Sequence, residues 1–148
     1  MDLHELSGGC HCGNIRFKLT LTGALAQRHP RACDCDFCRT HGASYISDPQ
    51  GTLQIDVADE SLLQKYKQGS GIADFLICKA CGVLVGVSYQ EGGRIYATVN
   101  SKAIDAGAQF AQETPVSPKL LATSKKLERW QENWFHDVVL NVNRRIAD

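Results

Sequence analysis

Short stretches in which hydrophobic and polar residues alternate recur through the first hundred residues of the chain. In the clearest of them, NIRFKLTLT at residues 14–22, Ile15, Phe17, Leu19 and Leu21 alternate with charged or polar residues. Successive side chains of a strand point to opposite faces, so this period of two predicts a strand with one buried and one wet face. Similar short runs follow at 53–57, 74–77, 83–89 and 94–99.

These runs predict antiparallel β structure over residues 10–100. The sequence EGG at 91–93 separates the last two runs and favours a hairpin turn between them. No helical pattern of about 10–15 residues lies between the strands, which counts against a βαβ fold. The expected fold class is therefore mainly β.

The pattern of hydrophobic and polar residues changes after Asn100. Residues 103–119 are small, polar and proline-bearing, which indicates a loop with one helical turn. Beyond them an amphipathic C-terminal helix is predicted, with Ser124 as its cap. Its apolar face is formed by residues at three- and four-residue steps, namely Leu127, Trp130, Trp134, Val138 and Val142. We expect this helix to pack over an open sheet face, while the two tryptophans leave a partner-binding helix or a homodimer open.

Length, charge and hydropathy exclude several classes of protein. A chain of 148 residues is expected to form a single domain, residues 1–148, with its own hydrophobic core. Sixteen basic and sixteen acidic residues cancel, so the chain lacks the basic excess typical of nucleic-acid binding. No apolar run approaches the length of a membrane span, and the acidic start MDLHELSGG does not resemble a signal peptide. The expectation is a cytoplasmic protein.

Seven cysteines add chemistry to this picture, and they fall into three tight groups. The groups are Cys10 and Cys12, then Cys33, Cys35 and Cys38, then Cys78 and Cys81. An odd count without an export signal argues against a disulfide framework. Closely spaced thiols can instead point their sulfurs at one ion, so the spacing predicts metal binding.

The first and third groups share a motif, because CHCG at 10–13 and CKACG at 78–82 each end in glycine. A glycine there permits the positive φ that turns backbone N–H groups toward the sulfurs. Two such knuckles are the usual halves of one zinc site. Pairing them predicts a closed, structural four-thiolate site that joins distant parts of the chain. Its ligands are Cys10, Cys12, Cys78 and Cys81.

The remaining three cysteines would hold a metal with one position vacant. Three protein ligands and an open position are the pattern of a catalytic zinc. Two alternatives stay open: His41 or His11 could close the site, or the thiols could be free of metal or joined in a disulfide. Three thiolates donate much negative charge, so a bound water would be a poor acid and hydrolysis is disfavoured. An incoming thiol is a better fourth ligand.

The segments GGCHCGNIRF, CDCDFCR and CKACG together resemble the glutathione-dependent formaldehyde-activating enzymes, a family that also includes centromere protein V. The resemblance covers roughly residues 5–100 and takes in all seven cysteines, with residues 101–148 as a loop and C-terminal helix outside that core. It implies a mainly β, zinc-knuckle-closed β-tent similar to the mammalian-suppressor-of-Sec-four type. It also implies two zincs per chain, one structural on the paired knuckles and one catalytic on Cys33, Cys35 and Cys38.

The activity expected on these grounds is addition of a thiol such as glutathione to a small aldehyde such as formaldehyde, giving an S-hydroxymethyl adduct. The formal class is a carbon–sulfur lyase. Arg39 could bind a substrate carboxylate and His41 could shuttle a proton. The competing hypothesis is a non-catalytic, zinc-stabilised module that binds a partner or senses redox state or metal.

Overall fold

The computed structural model describes residues 2–105 and 109–143, which form eleven strands and two α-helices. The strands are β1 (Leu3–Gly9), β2 (Ile15–Thr22), β3 (Arg31–Cys33), β4 (Ser44–Ile46), β5 (Thr52–Val57), β6 (Leu63–Tyr66), β7 (Asp74–Cys78), β8 (Leu84–Glu91), β9 (Arg94–Asn100), β10 (Thr114–Val116) and β11 (Asp137–Val142). The helices are α1 (Asp36–His41) and α2 (Thr123–Asn133). None of the helices in the described ranges is long and apolar enough to cross a membrane.

The strands form two sheets. The smaller sheet has the order β1-β2-β5-β11, and the larger has the order β10-β3-β4-β9-β8-β7-β6. Most neighbours are antiparallel, and the two parallel pairs, β10 with β3 and β11 with β5, both bring in strands from the last third of the chain. The mainly β class with a C-terminal helix is thus confirmed.

Alternation in the sequence explains the main core. Ile15, Phe17, Leu19 and Leu21 all point inward from β2 and are at most 1% exposed. They pack with inward residues of β5 and with residues of the larger sheet such as Val99. Burying this much aliphatic surface is the dominant favourable contribution to folding. The predicted strand at 14–22 and the later runs all correspond to observed strands, and the EGG turn joins β8 to β9.

A second cluster lies on the other face of the larger sheet. It joins Tyr45, Phe75 and Tyr89 of the sheet to Cys38 of α1 and to Trp134 after α2. Strand β8 is therefore buried on both faces along most of its length, since Leu84 to Tyr89 are all buried. The candidate functional site lies against this second cluster.

The C-terminal helix is shorter than predicted. Helix α2 ends at Asn133, Trp134 adopts an extended conformation, and residues 137–142 form β11 rather than two further helical turns. Val138 and Val142 thus lie on a strand beside β5. The error came from counting valines at helical spacing, whereas a β-branched run next to an open sheet edge gains more from strand pairing.

Two smaller expectations for this region also differ from the structure. The residue preceding α2 is Ala122, which makes no side-chain cap hydrogen bond, so Ser124 is not the cap. The described part of residues 103–119, expected as a loop with one helical turn, also contains the strand β10, and 3-10 turns lie at both ends of this stretch, at Ser101–Ala103 and Pro118–Leu120. The expected packing of the helix is confirmed, because Trp130 and Trp134 stack on one another at 4.9 Å between ring centroids and both contact Tyr89.

Candidate metal centre and adjoining cavity

Four cysteines meet at one edge of the main core. Cys10 and Cys12 lie in the loop between β1 and β2, Cys78 ends β7, and Cys81 lies in the turn before β8. The Sγ atoms of Cys10 and Cys12 are 3.7 Å apart, and those of Cys12 and Cys78 are 3.5 Å apart. Four sulfurs bound tetrahedrally at the Zn–S length of about 2.3 Å would lie about 3.8 Å from one another. The spacing of the sulfurs therefore fits a metal ion bound by four thiolates.

The backbone of each knuckle turns as predicted. Gly13 has φ 88° and Gly82 has φ 81°, which side chains with a Cβ rarely adopt. The backbone N–H of Ile15 donates to the Cys10 sulfur at 3.2 Å. Burial raises the pKa of Cys78 to about 12. At Cys81 burial is also the largest single effect, but hydrogen bonds from the backbone of Cys12 and Val83 and with the sulfurs of Cys78 and Cys10 together outweigh it and lower the pKa to about 6.

The other three cysteines lie within one short stretch of chain. Cys33 ends β3, Cys35 precedes α1, and Cys38 lies inside that helix. Helix α1 starts where it does because the Cys35 sulfur caps it, accepting the backbone N–H of Cys38 at 3.4 Å. The three sulfurs lie within 4.8 Å of one another, so they too could hold a metal ion.

Side chains around the three sulfurs order them. The Tyr45 hydroxyl, on β4, lies 3.1 Å from the Cys38 sulfur, and the Gln68 amide lies 3.9 Å from the Cys35 sulfur. A hydrogen bond with Cys38 lowers the pKa of Cys33 to about 6, and the same contact together with burial raises the pKa of Cys38. Hydrogen bonding among the sulfurs thus favours loss of a first proton from the cluster.

The three-sulfur cluster opens into a cavity of about 420 Å³. Residues of β4, β7 and β8 form its apolar floor, and Trp130 and Trp134 of the α2 region form one wall. The cations that line it are Arg31, Lys119, Lys126 and Arg129. None of the four-sulfur ligands lines this cavity. The two clusters therefore share a ligand type and differ in access.

Both substrate residues expected from the sequence lie outside the lining of this cavity. Arg39 is exposed on α1 and pairs with Asp36 at 3.5 Å, and His41 is exposed at the end of α1 with its ring 4.6 Å from Phe37. In the described part of the chain, neither group of potential ligand atoms includes a histidine, so His11 and His41 do not complete the three-sulfur cluster.

The sequence analysis missed the cavity residues that carry charge and aromatic surface. Arg31 offered a local signal, because a residue two positions before Cys33 on a strand shares its face. The contact of Tyr45 with Cys38 arises from pairing of β4 with β3, which the sequence alone does not predict. Arg129 and Trp130 had no local signal, since their place depends on where α2 docks.

Comparison with known proteins agrees with this geometry. The family model for the glutathione-dependent formaldehyde-activating enzyme matches residues 5–119, which include all seven cysteines, and the chain belongs to that family. Among solved structures, a protein from Rhodobacter sphaeroides is similar, with a TM-score of 0.54 and 25% identity over 69% of this chain and 90% of that one. Membership in the family supports an activity that involves glutathione and formaldehyde, and two cysteine clusters are consistent with zinc.

Proposed function

We propose that this protein is a zinc-dependent enzyme that adds a thiol such as glutathione to a small aldehyde such as formaldehyde. Cys10, Cys12, Cys78 and Cys81 would hold a structural zinc, and Cys33, Cys35 and Cys38 would hold a catalytic one. The observation that carries the proposal is that only the three-sulfur cluster opens into the cavity. Family membership supports the choice of thiol and aldehyde.

A zinc ion on three thiolates, when bound, supplies affinity for a further sulfur and lowers the pKa of that thiol. The chain's own residues shape the surroundings in which that thiol would bind. The apolar floor and the two tryptophans exclude water from the sulfur, which strengthens electrostatic interactions there. The Tyr45 hydroxyl contacts the Cys38 sulfur and the backbone N–H of Cys38 donates to the Cys35 sulfur, and both contacts restrict the positions that the cluster can adopt.

The reaction balances without an oxidant or reductant. The thiol sulfur forms a bond to the aldehyde carbon, the carbonyl π bond breaks, and the thiol's proton ends on the carbinol oxygen. The reverse reaction breaks the carbon–sulfur bond, which makes the formal class a carbon–sulfur lyase. His41 as the proton carrier and Arg39 as a carboxylate ligand stay predictions, as does a homodimer. An odd number of cysteines in closely spaced groups favours metal binding over a disulfide framework, which supports a reducing, cytoplasmic location.

The decisive experiment compares glutathione with S-methylglutathione on protein whose zinc has been replaced by cobalt. The two peptides share both carboxylates and the amine, but only glutathione can supply an anionic sulfur. Their affinities should differ by more than the roughly tenfold that 1.4 kcal/mol represents. The cobalt–thiolate charge-transfer band should change with glutathione alone, and the change should grow as pH rises toward the thiol's own pKa.

Cys35→Ala is the matched variant, because it removes one of the three sulfurs and leaves the four-sulfur cluster intact. In this variant the spectral response to glutathione should be absent. If the two peptides bind wild-type protein equally well, or if neither perturbs the cobalt spectrum, the proposed enzymatic function is rejected. The chain would then be better described as a zinc-stabilised binding or redox- and metal-sensing module.

A further inference from the structure

Positive charge is concentrated in the cavity beside the three-sulfur cluster. The chain as a whole is neutral, with sixteen basic and sixteen acidic residues. Yet the described side chains that line the cavity include two arginines and two lysines and no aspartate or glutamate. The nearest charge compensation is Asp34, which lies 4.0 Å from Lys119 at the cavity mouth. Such a lining raises the local concentration of anions and disfavours cations.

Arg31 is the deepest of these cations and has no carboxylate partner among the described residues. Its guanidinium donates to the hydroxyls of Ser47 at 2.7 Å and Thr98 at 3.3 Å. Leaving a largely buried cation without a counter-ion costs free energy, which an anionic ligand would recover.

Arg28 shows what compensation looks like in the same molecule. It lies three residues away in the chain and pairs with the buried Asp48 at 2.7 Å, and it also donates to the carbonyl oxygen of Thr22. Its charge is thus satisfied inside the protein. The hydroxyl partners of Arg31 fix the direction of its guanidinium but do not neutralise its positive charge. Because no carboxylate among the described residues plays this part for Arg31, its counter-charge must come from the thiolates of the three-sulfur cluster or from an anion that enters the cavity.

The position of Arg31 places that partner next to the reacting sulfur. Arg31 and Cys33 are two residues apart on β3, so their side chains share one face, with Cα atoms about 6.6 Å apart. Guanidinium binds carboxylate through two parallel hydrogen bonds, a geometry that a lysine does not offer. Arg31 and Cys33 line the same cavity, so a carboxylate on Arg31 and a sulfur at the cluster are within reach of one small molecule.

We propose that Arg31 is a specificity-determining residue that binds a carboxylate of the substrate, so that the site selects anionic thiols over neutral or cationic ones. This inference rests on the proposed thiol chemistry and adds the residue and the charge by which the thiol is chosen. Lys126 and Arg129 contribute to the same field from α2, nearer to solvent.

The test measures binding of glutathione and of glutathione diethyl ester to the zinc-loaded protein. Both carry a free thiol, but the ester lacks both carboxylates. Trp130 and Trp134 are the chain's two tryptophans and both line the cavity, so intrinsic fluorescence reports binding without reference to turnover. Wild-type protein should bind glutathione at least about tenfold more tightly than the ester, as expected for a charge-assisted pair.

Three variants assign that preference to a residue. Arg31→Gln keeps hydrogen-bonding capacity but removes the charge, and should lose most of the preference while affinity for the ester stays within about threefold. Arg31→Lys should retain an intermediate preference, because it keeps the charge without the paired donors. Arg94→Gln, which makes the same change at an exposed position outside the cavity, should match wild type.

The outcomes separate this inference from the function on which it rests. Equal binding of glutathione and its ester, or a preference that Arg31→Gln leaves unchanged, overturns the role of Arg31. So does an equal loss of affinity for both ligands, which would indicate a purely structural arginine. If Arg31→Gln does not fold, an unaltered preference in Arg31→Lys overturns it. Failure of the thiol chemistry appears elsewhere, as equal binding of glutathione and S-methylglutathione.

Discussion

The two cysteine clusters use one ligand type in opposite ways. The four-sulfur cluster joins segments that are far apart in sequence, since Cys12 and Cys78 are 66 positions apart, and two of its members, Cys10 and Cys78, are almost completely buried. The three-sulfur cluster lies within six consecutive residues and faces the cavity. Sequence separation and access, not ligand chemistry, distinguish a site that supports the fold from one that meets a ligand.

The largest expected effect follows from breaking the four-sulfur cluster. Cys78→Ala should lower the free energy of unfolding by more than about 5 kcal/mol, which is comparable to the whole stability of a small domain, because the metal's binding energy is coupled to folding. Soluble yield and far-ultraviolet circular dichroism measure this. Cys35→Ala is the control and should remain folded with one metal lost. Equal damage in both variants would make the three-sulfur cluster structural as well.

Chelation should separate the clusters without mutation. A cluster open to the cavity should give up its ion sooner than one coupled to folding. During mild chelator treatment, metal content should fall from about two ions per chain to about one while circular dichroism stays native. Metal analysis and dichroism on the same samples check this. Loss of both ions in a single step together with unfolding would remove the distinction.

Acidification affects both clusters, so a metal-free part of the fold is needed as a reference. Asp48 accepts hydrogen bonds from the N–H and hydroxyl of Thr22 and pairs with Arg28. Burial alone would raise its pKa, but these bonds and the N–H of Gln50 outweigh burial and lower it. A lowered folded-state pKa contributes stability that is present above the unfolded value of about 4 and is lost as pH falls through the folded value.

Asp48→Asn should therefore cost about 3 kcal/mol at neutral pH, the scale for breaking a buried ion pair. Its deficit relative to wild type should shrink as pH falls below about 4. Chemical denaturation at several pH values, with metal content followed in parallel, measures the difference. If the difference in stability between Asp48→Asn and wild type instead changes together with metal content, the acid sensitivity arises from protonation of the thiolates.

A smaller effect tests the surroundings of the three-sulfur cluster. Tyr45→Phe removes the hydroxyl that lies 3.1 Å from the Cys38 sulfur. Loss of such a partner should weaken metal binding at this cluster by about tenfold and leave the four-sulfur cluster unchanged. Competition with a metal indicator measures both affinities. Tyr89→Phe, at a buried tyrosine that does not line the cavity, is the matched control and should bind both ions as wild type does.

The parts of the molecule that local patterns determine were predicted well. The period-two run from Ile15 to Leu21 encodes both a strand and its buried face, and the knuckle glycines encode turns whose φ angles the structure confirms. The division of the sulfurs was also predicted, because local spacing sets each pair or triplet and the shared glycine endings of CHCG and CKACG pair the two knuckles. The structure places both groups as expected.

The parts that depend on distant docking were not predicted. The strand β11 was mistaken for helix because its valines satisfy both periods, and the open edge of β5 that decides between them lies far away in sequence. The cavity has the same origin. Arg31 donates hydrogen bonds to Ser47 and Thr98, and the aromatic wall of the cavity comes from the α2 region. No single stretch of sequence therefore contains the site.

The pairing of β11 with β5 also sets how the molecule reaches its native state. Asp56 and Asn141 are hydrogen-bonded across 85 residues of sequence, and long-range strand pairing of this kind slows folding because a large loop must close first. The hairpins β1–β2 and β8–β9 can form locally and early. Helix α2 directly precedes β11, so the aromatic wall should arrive in the same late step. A chain halted before that step would expose the apolar floor and the three thiols together, which makes refolding under oxidising conditions its most vulnerable moment.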